Sequence, residues 1–176
     1  MPNAERQPVT RTYLELREPP SEQAGITWPA GVVLAQEANC SVALARALYA
    51  AVGSAYHWHD RDAWTDERLA EHLARPNVAV WVLRESDRPV GYFELLIEDP
   101  TSVEIAYFGL LPQAQGRGLG KRLLEAAIHV GFGTPASRVW LHTCTLDHPA
   151  ALPNYRARGF IPFRTEQYEA NPAGLA

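Results

Sequence analysis

Apolar and polar positions recur with two different periods along this chain. Residues 78–83 (VAVWVL) and 90–97 (VGYFELLI) are short, β-branched and aromatic, and the Ser86-Asp87-Arg88 joint between them predicts a hairpin. Residues 103–111 (VEIAYFGLL) repeat that composition and predict a further buried strand. The period then lengthens. Leu119, Leu123, Leu124, Ala127 and Ile128 fall at helical spacing, with Lys121, Arg122, Glu125 and His129 between them, which predicts an amphipathic helix over 118–131. Strands are expected at 12–16, 137–143 and 160–167, and another helix at 148–158. Earlier in the chain, Ser41 opens a helix to about residue 52, carried by Leu44, Leu48 and Tyr49. Thr65 opens a second, which must stop near residue 74 ahead of Pro76. Residues 32–35 read as a short second strand or a continuation of the first, after a Pro- and Gly-punctuated stretch over 19–31. Residues 1–11 are polar and expected to be loose. The resulting order, β-α-α-β-β-β-α-β-α-β without internal repeats, predicts one α/β (α+β) domain over residues 1–176.

The switch of period falls on Gln115-Gly116-Arg117-Gly118-Leu119-Gly120-Lys121, so three glycines sit at a strand-to-helix turn. Free backbone N–H groups and the positive end of a helix dipole converge there, and glycine removes the side chains that would screen them. Such a turn suits a phosphate or pyrophosphate, with Arg117, Lys121 and Arg122 adding local positive charge. A dinucleotide fingerprint starting at Gly116 would need glycine at Lys121. A P-loop would need glycine at Gln115 and Ser or Thr at Arg122. Neither pattern is met.

The pattern that is met, Q/R-x-x-G-x-G/A through Gln115, Gly118 and Gly120, resembles the acetyl-CoA pyrophosphate loop of the GNAT N-acetyltransferase superfamily. Leu110-Leu111-Pro112 is similar to that family's lead-in. Downstream, His148 to Phe160 resembles its N-x-x-A-x-x-x-Y-x-x-x-G-F segment, with Ala151, Tyr155, Gly159 and Phe160 in register and His148 standing where the family has Asn. The resemblance implies a mixed, mostly antiparallel twisted sheet flanked by helices. It also implies transfer of an acetyl group from acetyl-CoA to a primary amine by direct attack in a ternary complex. The acceptor would be a small-molecule or peptide amine, and a homodimer is left open. Acetyl-CoA would be held by Phe108, Gly109 and Leu110 along the strand, by Gln115, Gly116, Arg117, Gly118, Leu119, Gly120 and Lys121 at the turn, and by His148.

Amine acetylation sets further demands, since an alkylammonium of pKa ~10.4 must lose a proton before it attacks. Tyr155 matches the family position that protonates the leaving thiolate; otherwise it is a core tyrosine. Glu104, an acid early in an apolar strand, is the expected base, with Glu94 or a water chain as rivals. The oxyanion donor is expected at a backbone N–H near Leu110, where Gly109 suggests a bulge or a close ligand approach. Trp58 and Trp64, in the aromatic and polar stretch from residue 56 to 64, belong either to the acceptor wall with Glu94 or to a loop anchor. His57, His59, Asp60 and Asp62 lack a third spaced ligand group, so no metal is expected, and Cys144 beside His142 or His148 reads as packing rather than a nucleophile. A binding-only acyl-CoA sensor, a longer acyl donor and a hydroxyl acceptor remain compatible with the same turn.

Composition narrows the picture little. Hydrophobic residues make up 47% and charged ones 20%, as in ordinary globular proteins. A net charge of −4 exerts no pull toward nucleic acid or anionic membranes. No apolar run approaches a membrane span, no signal-peptide core is visible, and Cys40 and Cys144 have no metal spacing. The expected setting is the reducing cytoplasm, without nucleic-acid or membrane partners.

Overall fold

The computed structural model of the protein describes residues 6–20 and 25–170. Its strands are β1 (Gln7–Leu16), β2 (Val32–Gln36), β3 (Val78–Glu85), β4 (Arg88–Asp99), β5 (Ser102–Leu110), β6 (Arg138–Cys144) and β7 (Ile161–Ala170). The helices are α1 (Val42–Gly53), α2 (Asp66–Leu73), α3 (Leu119–Phe132) and α4 (Ala151–Ala157). They form one seven-stranded sheet in the order β2-β3-β4-β5-β6-β1-β7. Every pairing is antiparallel except β5 with β6, which α3 connects as a crossover.

Local chemistry explains most element ends. Ser41 and Thr65 cap α1 and α2 by accepting from the N–H groups of Leu44 and Arg68. The β3–β4 turn is only Ser86 and Asp87, at φ 49° and 65°, because Arg88 already pairs with Glu85. Two positive-φ residues give the turn the twist a two-residue hairpin requires. Residues 32–35 belong to a separate strand at the far edge of the sheet.

One expectation is corrected. Of the segment expected to be loose, residues 7–11 lie in β1, and residues 1–5 lie outside the described residues, as do 21–24 of the Pro- and Gly-punctuated stretch. β1 is hydrogen-bonded on both sides, to β6 and β7, and Val9 is 1% exposed. A strand saturated by two neighbours needs little apolar alternation of its own, so Gln-Pro-Val-Thr-Arg-Thr does not announce itself.

Strand alternation divides the core into two layers. Phe93, Leu95, Val103, Ile105, Val139 and Leu141 meet Leu119, Leu123, Leu124 and Ile128 of α3 and Tyr155 of α4. Val80, Val82 and Tyr92 meet Leu48 and Val52 of α1 on the opposite face.

Candidate active site

β5 and β6 pair only through Ser102↔Arg138, Val103↔Val139 and Glu104↔Trp140. Beyond that point β5 stays with β4 as far as Leu110, and β6 stays with β1 as far as Cys144. The middle of the sheet therefore forks, exposing a strand edge where a continuous sheet would have none. A bulge accompanies the fork: Glu94 faces Tyr107 while Leu95 faces Ile105, leaving Ala106 as the extra residue. The bulge resets the alternation, so Val103, Ile105, Phe108 and Leu110 share the α3 layer while Tyr107 and Gly109 face α1.

A cleft of about 970 Å³ occupies the fork. Of the residues expected to hold acetyl-CoA or the acceptor or to take part in the reaction, all but Arg117 and Leu119 line it. Leu119 is fully buried in the core, and Arg117 clamps Glu85 at the β3–β4 hairpin, at 2.6 and 3.0 Å. Leu119 can serve the turn only through its main chain.

At the turn, Gly116 and Gly118 have φ of +73° and +74°, which disfavours any other residue, and a Cβ on either would meet nothing within 4 Å. Gly118 is the N-cap of α3 and supplies no side-chain cap, so the first-turn N–H groups face open space beside Lys121. Gln115 steadies the turn from the side, donating to Tyr56 Oη at 3.1 Å. Arg122 turns away to the carbonyl and hydroxyl of Thr27.

Gly109 needs a different explanation from the one expected. The bulge lies at Ala106, and a Cβ on Gly109 would sit 2.4 Å from Val52 Cγ1. The missing side chain makes room for α1, not for a ligand.

Tyr155 projects from α4 and packs edge-on against Phe108 of β5 and Phe160, 6.2 and 6.1 Å between ring centres. Burial, with a smaller push from Asp147, raises its phenol well above the ordinary value and keeps it protonated. Upstream of α4, His148 Nδ1 accepts from the Ala150 N–H at 3.0 Å, which leaves Nε2 of the neutral ring to carry the proton.

The other end of the cleft is aromatic. Tyr49, Trp58 and Tyr107 pack at 5.2–5.6 Å. Arg61 stands 4.2 Å over the Tyr107 ring and 5.0 Å from that of Trp64. Its two terminal nitrogens hold Glu94 at 2.6 and 2.8 Å, and His72 Nε2 donates to the same carboxylate at 2.7 Å. Arg61 is 6% exposed and Glu94 1%. Burial works to raise the Glu94 carboxyl, but hydrogen bonds from His72 and Arg61 outweigh it and hold it below the usual carboxylate range. Sequence reasoning missed Arg61 and His72. The signal was Glu94 itself, since an acid inside an apolar strand must find a cation. Trp64 packs on this cluster, against Arg61 and, at 5.3 Å, His72, with Arg68 at 4.3 Å on its ring.

Glu104 is at the apex of the fork, with His142 Nε2 4.0 Å from its Oε1. Among the described residues no group of three His, Cys, Asp or Glu side chains is arranged to hold a metal, and His59 pairs with Asp62 at 2.7 Å. No helix among them is long and apolar enough to cross a membrane.

Comparison with known proteins agrees with this geometry. The chain is 29% identical over 162 residues to the mycothiol acetyltransferase of Mycobacterium sp. strain JLS, covering 86% of this chain and 53% of that protein. It is 35% identical over 108 residues to an uncharacterised N-acetyltransferase of Mycobacterium bovis, covering 59% and 69%. The chain thus spans about half the length of the mycothiol acetyltransferases it matches. A GCN5-related N-acetyltransferase from Sphaerobacter thermophilus shares the fold, with a TM-score of 0.65 at 22% identity over 97% of this chain and 54% of that one. Residues 45–160, which carry most of α1, the fork, the glycine turn and Tyr155, match the acetyltransferase (GNAT) family, and the chain belongs to that family.

Proposed function

We propose that this protein transfers an acetyl group from acetyl-CoA to a primary amine, by direct attack while both substrates are bound. The observation that carries the reading is the fork: past Glu104 the β5 edge is left by β6 and runs toward a glycine turn whose open N–H groups begin α3. The edge suits the amide-bearing pantetheine arm, which pairs with it as a strand would, along Phe108, Gly109 and Leu110. The turn suits the pyrophosphate, because Gly116 and Gly118 leave space around the N–H groups and Lys121 adds charge. His148 offers Nε2–H toward the same cleft, and a main-chain N–H near Leu110 serves as the oxyanion donor.

Tyr155 supplies the proton for the departing thiolate, consistent with its phenol being held in the protonated form. Glu94 is a poor base, since its carboxylate is already engaged by Arg61 and His72; it holds the acceptor wall beside Trp58 and Trp64. Glu104 keeps a place at the reacting centre. The name of the M. bovis relative, an N-acetyltransferase, agrees with a nitrogen acceptor.

The test is a thiol-release screen with acetyl-CoA across polyamines, aminoglycosides, amino acids and peptide amines. Sustained CoA release with one of these classes is expected. Tight acetyl-CoA binding without release to any amine would instead make the protein an acyl-CoA sensor. Release only with a longer acyl donor or a hydroxyl acceptor would keep the cleft and change the substrates.

A further inference from the structure

The apex of the fork brings together two side chains on one face of the sheet. Glu104 is the last β5 residue paired to β6, and His142 stands two residues past its β6 partner, Trp140. Their side chains are 17% and 35% exposed and both line the cleft, so a substrate can reach them. Alternation sets their direction. Val103, Ile105 and Leu141 enter the α3 layer with Tyr155, so Glu104 and His142 face the opposite side, the side of Glu94 and Tyr107. An acyl carbon in the plane of the fork therefore has Tyr155 on one face of the sheet and His142 on the other. That is the arrangement in which a thiolate leaves toward an acid while an amine arrives beside a base.

We propose that His142, with Glu104 beside it at the fork, is the general base that accepts the ammonium proton of the acceptor. The inference rests on the amine-acetylation reading above. The nitrogen loses two protons in forming the amide: one passes to solvent through His142, and the other balances the proton that Tyr155 gives to sulfur when the C–S bond breaks. The imidazolium that His142 becomes is stabilised by the Glu104 carboxylate, so Glu104 acts through His142 as a positioning residue.

The groups around the ring favour its neutral form. Burial and Arg11 of β1 lower its pKa below the ordinary value of about 6.5, against the opposing pull of Asp60 in the 57–64 loop, Asp147 ahead of α4 and Glu166 of β7. Tyr13 of β1 packs on it at 5.5 Å. At neutral pH the imidazole is neutral and ready to accept a proton, and it is better matched to that pH than a carboxylate.

The experiment is the pH dependence of kcat/KM with acetyl-CoA and the amine that turns over fastest, for wild type, His142→Gln and Glu104→Gln, alongside calorimetric acetyl-CoA affinity and an NMR titration of the His142 ring in the wild-type protein. Wild type should show an acid limb with its midpoint below about 6.5, well separated from the amine's own limb near ~10, and the ring should titrate at the same midpoint. His142→Gln should remove the acid limb and lower kcat at least ~10-fold, with acetyl-CoA affinity within about twofold. Glu104→Gln should move the limb to lower pH, since the imidazolium loses its carboxylate. A His142→Gln enzyme with wild-type rate and limb overturns the inference. So does a limb that survives in His142→Gln and vanishes in Glu104→Gln, or a wild-type ring that titrates away from the kinetic midpoint. A wild-type protein that releases CoA with no amine removes the acetylation reading itself, which none of those three results does.

Discussion

Around Gly116 and Gly118 the wall of the cleft is main chain held at positive φ, whereas around Glu94 it is side chain drawn from a loop, a helix and a strand. The glycine end makes its contacts with N–H groups that every residue has, so what matters there is which side chains are missing. The aromatic end depends on which side chains are present and how they are paired. Arg61 comes from the loop, His72 from α2 and Glu94 from β4, and the Glu94 carboxylate is held by the other two together. Substitutions should therefore act differently at the two ends: on stability at the buried cluster, and on cofactor affinity at the turn.

The largest effect is expected at the cluster. Arg61→Ala leaves the Glu94 carboxylate buried beside a single histidine, and should lower unfolding stability by about 3–5 kcal/mol, read from denaturant midpoints. Because Glu94 titrates lower in the folded protein than in the unfolded chain, the cluster contributes its full stability above ~4.3 and loses it as pH falls through the folded value. The acid-side fall in wild-type stability should correspondingly shrink in Arg61→Ala. A variant as stable as wild type at neutral pH would mean that loop 57–64 does not depend on this pair.

Next comes Tyr155→Phe, which keeps the packing on Phe108 and Phe160 and removes only the hydroxyl. It should cost roughly 10- to 1000-fold in kcat, with KM for acetyl-CoA little changed. Wild-type kcat together with a lower melting temperature would return Tyr155 to the core.

At the turn, Gly118→Asp puts a Cβ at φ +74° and a negative charge where N–H groups converge. Acetyl-CoA affinity should fall at least ~10-fold by calorimetry, since one lost charge-assisted contact is worth more than a kcal/mol. Unchanged affinity in a folded variant would remove the anion site from the turn. The smallest effect belongs to Arg117→Ala. Its pair with Glu85 is solvent-exposed and its side chain does not line the cleft, so affinity should stay within about twofold. A tenfold loss would return to the Arg117 side chain the role at the turn that the sequence suggested.

The two ends also differed in how much could be read before folding. The glycine turn was legible because its parts are contiguous: a strand, the glycines and a helix follow one another within residues 103–131. The acidic residues Glu94 and Glu104 were legible as anomalies in apolar strands, but their partners were not. Arg61 and His72 lie 33 and 22 residues from Glu94 in the chain, and no local pattern links them. Gly109 illustrates the converse limit. Glycine in a strand signals a close approach, but only packing revealed that the neighbour was Val52 rather than a ligand.

Local interactions are written in short spacings, so the chain alone determined the strand and helix order apart from the separate β2, the caps at Ser41 and Thr65, the phosphate-suited turn and the family resemblance. Tertiary structure decided what depends on distant chain segments meeting. It put Gln7–Leu16 between β6 and β7, and it ended the β5–β6 pairing at Glu104 and Trp140. It also enclosed Glu94 with Arg61 and His72, and brought His142 within 4.0 Å of Glu104. Strand pairing and ion pairing across a sheet are chosen by competition among whole surfaces, and a buried charge accepts whichever partner the completed fold brings within reach.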